Sequence, residues 1–450
     1  MIQGVNKHLD ALIEFLRIPS VSANPDHKED VARAARWLEA KLSALGFRAE
    51  VVVTPGHPIV YAEKIVDPQA PTVLVYGHYD VQPPDPLELW HTPPFEPTIQ
   101  DGKLYARGSS DDKGQVYAHI AAVEDLGSDL RVNVKFVIEG EEEVSSTNLE
   151  PFVRANAERL KADVLLISDG SMYAPGVPSL EYGLRGLVYM EVRLEGANRD
   201  LHSGVYGGAA PNPIHAAAWM IAKLKGEDGR ILVPGFYDAV RDLTDEEKAN
   251  FASLNFDAAA FAASIGADGL PGEPGWGALE RTWVRPTLDV NGIWGGYQGE
   301  GSKTVIPAKA GFKFSMRLVP DQDPEVIRKA LTEYLQQIKP EGYRMEILYH
   351  GTGKPVVTEL DSVYMRKAAQ ALEAAWGRKP VFTRSGGSIP IVANFQELLG
   401  IPVVLLGMGL NDDNLHSPNE KFDLVNYEKG IEASRNFLKL LAQRASSAHP

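Results

Sequence analysis

The sequence predicts an α/β protein with a smaller ferredoxin-like α+β domain set into it. Helix and strand patterns alternate up to about residue 185. From about 186 the order becomes β-α-β-β-α-β, and after about 355 the α/β alternation returns. At 450 residues the chain exceeds one ordinary core, so two domains are expected. Residues 1–185 and 355–450 would form the larger domain, and 186–354 the insert.

In chain order, MIQGVNKHLDALIEFLRIPS reads as an amphipathic helix. It lacks the basic stretch and apolar core of a signal peptide, so secretion by that route is not expected. Residues 29–45 have helical periodicity, followed by strands at 49–53 and 72–77. A helix near 113–126 and strands at 132–138 and 163–168 complete the first part. The strands are short and β-branched, as in a sheet buried on both faces. The insert reads as a strand at 187–195, a helix at 212–225, strands at 287–293 and 310–318, a helix at 324–338 and a strand at 343–349. Asp323 and Pro324 suit the N-cap and first position of its second helix. A polar, Ala-rich, partly helical stretch interrupts it at about 226–286. A helix at 361–376, a strand at 402–408 and a helix at 426–444 follow.

Composition narrows the function classes. Apolar residues make up 44% and charged residues 23%, as in a soluble globular protein. No apolar run approaches the roughly 18 residues that span a bilayer. The net charge of −15, with no basic cluster, disfavours nucleic acid and anionic membranes as partners. With no cysteine, disulfides and thiolate chemistry are excluded, and any metal must be held by His and carboxylates. The absence of cysteine also fits a cytoplasmic protein.

Polar residues recur at strand ends. TVLVYGHYD ends a strand in His78 and Asp80, which would share a face two residues apart. VKFVIEGEEEVSS ends one in Glu139 and Glu141–Glu143, and VLLISDG ends one in Asp169. His416 follows the strand in VVLLGMGLNDDNLHSPNE, and Asp111 and Asp112 precede a helix in YARGSSDDKGQ. Each feature alone is ordinary: an Asp pair caps helices, and an acidic run turns in solvent. Together they fall on one edge of one sheet, the edge where open α/β sheets bind ligands. Two His and several carboxylates suit a dinuclear site for Zn²⁺, or a harder ion such as Mn²⁺.

GHYDVQP, GSSDDKGQ, EGEEEVSS, SDG, DLHSGVYGG, SKTVIPAKAGFKFSMRLVP, GGSIPI and HSPNEKF occur in that order. By these motifs the chain resembles the metallopeptidase family of carnosinases, aminoacylases and succinyl-diaminopimelate desuccinylase, with carnosinase-type cytosolic dipeptidases the closest likeness. The resemblance implies a zinc-peptidase-like mixed sheet with flanking helices and an inserted lid and dimerisation domain. It implies two divalent ions per subunit, Zn²⁺ first and Mn²⁺ second. His78 would ligate one and His416 the other, Asp111 would bridge both, and Glu143 and Asp169 would complete opposite metals. Asp80 would orient His78, Glu142 would be the general base, and the Asp111–Asp112 peptide would be cis. Which of Glu141, Glu142 and Glu143 plays which part comes from the match alone.

In the insert, the resemblance gives His202 to the oxyanion, acting from a partner subunit. Arg317, projecting from a strand, suits a bidentate clamp on a substrate carboxylate. Ser388, in a Gly-Gly turn entering a helix, suits the same anion. Thr304 and His350 match substrate-side positions. Two departures stand out: Ser385 replaces a Glu of the carnosinase type, and HGTGKP is one residue longer than the usual HGGKP. The expected function is a dinuclear metal-dependent exopeptidase, a dipeptidase acting on small peptides as a homodimer. An N-acyl amino-acid amidohydrolase is the alternative that Ser385 leaves open, and a metal-binding scaffold is a third.

Overall fold

The structure, a computed structural model, describes residues 5–386 and 390–443. The chain divides into two compact units: Met1–Tyr182 with Thr358–Thr383 and Asn394–Pro450, and Gly183–Val357 with Arg384–Ala393.

The first unit is built on a large mixed sheet. Its order is Arg48–Val52, Ile59–Lys64, Asn133–Glu139, Thr72–His78, Val164–Ile167, Val403–Leu405 and the strand that starts at Ser179. Thr72–His78 is central and lies parallel to both neighbours. Val73, Leu74, Val75 and Tyr76 are all buried, because helices cover both faces. Burying one such aliphatic side chain stabilises by about 1.5–3 kcal/mol. The parallel register sets His78 opposite Glu139, so both strands deliver their polar ends to one edge.

The helix Lys113–Leu126 lies almost wholly inside the unit. Gly114, Ala118, Ala121 and Ala122 keep its surface small enough for neighbours to approach closely. His119 is buried within it between two hydroxyls, Ser168 Oγ and Ser434 Oγ, each at 2.8 Å. Short strands missed in the sequence, Thr98–Gln100, Lys103–Tyr105 and Lys421–Asp423, form a separate small sheet. They are three residues each and pair partly across the length of the chain, so local periodicity carries no signal for them.

The second unit contains a four-stranded antiparallel sheet in the order Thr287–Gly295, Lys309–Leu318, Gly186–Glu195, Arg344–Gly353. With the helices Pro213–Leu224 and Pro324–Ile338, the sequential order is β-α-β-β-α-β. Val188, Met190, Val192 and Leu194 alternate inward to meet Ile327, Leu331 and Leu335 of the second helix. Asp323 caps that helix, accepting the N–H of Glu325 and Val326. The polar interruption holds three short helices, Asp245–Ser253, Ala258–Ser264 and Ala278–Trp283. Among the described residues no helix is long and apolar enough to cross a membrane.

Candidate metal centre

The strand Thr72–His78 ends on a fully buried imidazole. His78 Nδ1 lies 3.1 Å from the Asp80 carbonyl oxygen and 3.4 Å from Asp80 Oδ1. This fixes Nδ1 as the protonated nitrogen and leaves Nε2 to face the site. Asp80 lies beyond the end of the strand, and its carboxylate has a second task. It accepts the backbone N–H of Glu142 at 3.2 Å and of Glu143 at 3.1 Å, which fixes the turn carrying both acids.

The three consecutive Glu residues separate by their partners. Glu141 accepts from the backbone N–H of His57 and the Asn148 side chain, so it braces the turn. Glu143 Oε2 accepts the Gln82 amide at 2.7 Å and lies 3.4 Å from His416 Nε2. Glu142 is half-buried, and burial pushes its carboxyl group up, with the Asp111 and Asp80 carboxylates adding to the rise. The Asp pair separates likewise. Asp112 Oδ2 accepts the His78 backbone N–H at 3.2 Å, while Asp111 offers Oδ1 to His78 at 3.1 Å and Oδ2 to His416 at 3.0 Å. The peptide between them is cis.

Two potential ligand trios result, His78–Asp111–Asp169 and Asp111–Glu143–His416. Within each, the donor atoms lie within 4.8 Å of one another, and Asp111 belongs to both. Burial followed by the nearby Asp111 carboxylate pushes Glu143 up to about 8. Burial foremost pushes Asp169 up to about 7. Burial opposes ionisation of Asp111, yet the adjoining imidazoles of His416 and His78 hold it below the usual carboxylate range. Negative charge is thus crowded into a buried space, where a cation would relieve it. Buried His78 Nε2 and Glu143 Oε1 have no hydrogen-bond partner, as expected of atoms that face a metal. The residues present therefore fit two divalent ions bound through nitrogen and oxygen donors.

Glu420 and Gln82 had no role in the sequence reading. The first stood inside the motif HSPNEKF and the second inside GHYDVQP. Glu420 is fully buried against the loop that presents Asp111. Gln82 donates to Glu143.

His202, Thr304, Arg317 and His350 lie in the second unit. His202 ends a two-residue strand paired with Val305–Ile306, and its Nδ1 accepts the Gly204 N–H at 3.0 Å. The Thr304 carbonyl accepts the Ser203 N–H at 3.0 Å, so these two candidates are neighbours. Arg317 is half-buried in Lys309–Leu318, opposite Thr287 and Leu187. His350 falls where the pairing register shifts between Tyr349 and Gly351, and its Nε2 lies 3.0 Å from Glu191 Oε2. Ser388 lies outside the described residues.

Known proteins resemble the chain along nearly its whole length. The profile of the family described as Peptidase family M20/M25/M40 matches residues 74–440. The chain is similar to the Cys-Gly metallodipeptidase dug1 of Schizosaccharomyces pombe, at 35% identity over 96% of this chain and 94% of the relative. It is similar to the Beta-Ala-His dipeptidase of Homo sapiens, at 33% identity over 98% of this chain and 92% of the relative. Its fold matches the crystal structure of an M20 family metallo-carboxypeptidase from Sulfolobus solfataricus, with a TM-score of 0.87 and 37% identity. That match covers 97% of this chain and 99% of the other.

Proposed function

The chain belongs to Peptidase family M20/M25/M40, and from that premise we propose that it is a metal-dependent exopeptidase that hydrolyses dipeptides. The observation that carries this reading is the pair of ligand trios sharing Asp111 beside Glu142. Relatives named as dipeptidases match nearly the whole chain and favour a dipeptidase over an N-acyl amino-acid amidohydrolase.

His78, Asp111 and Asp169 would hold one ion, and Asp111, Glu143 and His416 the other, with Zn²⁺ first and Mn²⁺ second as the ions that suit such donors. When bound, such a pair polarises a carbonyl and brings the pKa of water toward neutrality. Glu142, neither capped nor committed to a trio, accepts the proton of the attacking water on its carboxylate and delivers it to the leaving amine nitrogen. Asp80 keeps that carboxylate on station through the two amides of the turn. Raising the Glu142 carboxyl by burial suits the task, since a base near neutrality also returns its proton readily.

The second unit reads as a ferredoxin-like lid and dimerisation domain. From it, His202 stabilises the oxyanion and Arg317 grips the substrate carboxylate with Ser388, while Thr304 and His350 line the substrate. The protein works as a homodimer in the cytoplasm. The test is hydrolysis of free dipeptides and their N-acetyl forms by metal-stripped protein refilled with Zn²⁺ or Mn²⁺. Metal-dependent cleavage of free dipeptides is expected. Cleavage of acylated forms alone would move the protein to the amidohydrolases.

A further inference from the structure

Asp111 serves both trios, so its position sets the whole centre, yet it stands in the loop Arg107–Asp112 before a helix. Such a loop has no ladder of its own to fix it. Three of its amides instead converge on one side chain from 309 or more residues away. Glu420 Oε1 accepts the N–H of Ser110 at 2.9 Å and of Asp111 at 3.0 Å. Glu420 Oε2 accepts the N–H of Gly108 at 2.9 Å and Arg107 Nη1–H at 2.9 Å. Both Arg107 and Glu420 are buried, at 1% and 0% exposure. Asp413 adds a second grip, its Oδ2 accepting the Ser110 hydroxyl at 2.7 Å while Oδ1 pairs with Lys421 Nζ at 2.6 Å. His416 lies between Asp413 and Glu420 in the sequence. The same segment therefore donates a ligand and clamps the bridging ligand.

We propose that Glu420, with Arg107, is the positioning residue of the bridging carboxylate: four donors on its two oxygens hold Asp111 where one carboxylate serves two ions. The inference rests on the dinuclear reading above. It assigns Glu420 no contact with substrate, and it makes a specific claim: loosening this clamp weakens both ions together, because both depend on Asp111. A residue bracing one trio alone weakens one ion. Gln82, which among the described residues donates to Glu143 Oε2, is that contrast.

The experiment is a competition titration of metal-free protein with Zn²⁺ against a chelating dye, alongside the melting temperature of the metal-free form. Glu420→Gln has nearly the same volume, but its amide must turn an N–H donor toward two donors already there. Both equivalents should bind about 10–100-fold more weakly in Glu420→Gln, and one only in Gln82→Leu. Arg107→Met removes one of the four donors to Glu420 and serves if Glu420→Gln does not fold; both equivalents should weaken about threefold to tenfold. Unchanged affinities in whichever variant folds, or loss of one equivalent alone, overturn the proposal. So does a lower melting temperature with both affinities intact, the mark of a purely structural role. Wild-type protein that fails to bind two equivalents would instead sink the dinuclear reading itself.

Discussion

The Asp80 carboxylate accepts the Glu143 backbone N–H at 3.1 Å, joining the end of one strand to the turn after its neighbour. Its other oxygen accepts from Glu142. In Asp80→Asn one of these oxygens becomes an N–H donor facing an N–H. The turn then shifts, and with it the proton acceptor. We expect kcat/KM for a dipeptide to fall about 10–100-fold while two metal equivalents are retained. Steady-state kinetics with metal analysis checks this, and an unchanged kcat would remove Asp80 from the positioning of Glu142.

Glu142→Gln keeps the size of the side chain and removes the proton acceptor. The expected outcome is a loss of about 10²–10⁴ in kcat, with KM and bound metal near wild type. Loss of metal in this variant would instead make Glu142 a ligand.

The His119 imidazole is buried, and burial alone pushes it down from its ordinary 6.5 to about 3. Between those values the unfolded chain binds a proton that the folded chain does not. Stability from this group is therefore complete above about pH 6.5 and falls as the pH drops toward 3, by about 1.4 kcal/mol per unit. Urea unfolding at pH 7.5 and 5.5 should show a difference that shrinks by about 1.4 kcal/mol in His119→Gln. An equal difference in both proteins would contradict the assignment.

A Cβ on Gly114 would lie 1.8 Å from the Ser109 carbonyl oxygen, a backbone atom of the loop that presents Asp111. Gly114→Ala must therefore displace either the helix or the loop. A destabilisation of at least about 1–3 kcal/mol, with weakened metal binding, should appear in thermal melts with and without Zn²⁺.

Local signals in the sequence carried much of this molecule. The helices at 113–126 and 324–338 stand where the pattern put them, the second because Asp323 and Pro324 mark its start. Hydrophobic runs located the central strands, and their polar ends marked the site edge. Long-range pairing escaped. Lys421–Asp423 is a strand only because Lys103–Tyr105 lies beside it. The i, i+2 rule brought His78 and Asp80 together, but nothing near Asp80 reveals that its carboxylate holds amides 62 and 63 residues on. Glu420 escaped for the same reason: three of its four partners are backbone N–H groups, which no residue pattern encodes.

The clamp also bears on biosynthesis. A ribosome delivers His78, Asp111, Glu143 and Asp169 well before His416 and Glu420, which meet their partners across 305 and 309 residues. Until that late segment emerges, the Asp111 loop lacks the Glu420 carboxylate and the second trio lacks its imidazole. A nascent chain that has not yet reached His416 and Glu420 therefore holds an incomplete second trio and a bridging carboxylate without its clamp.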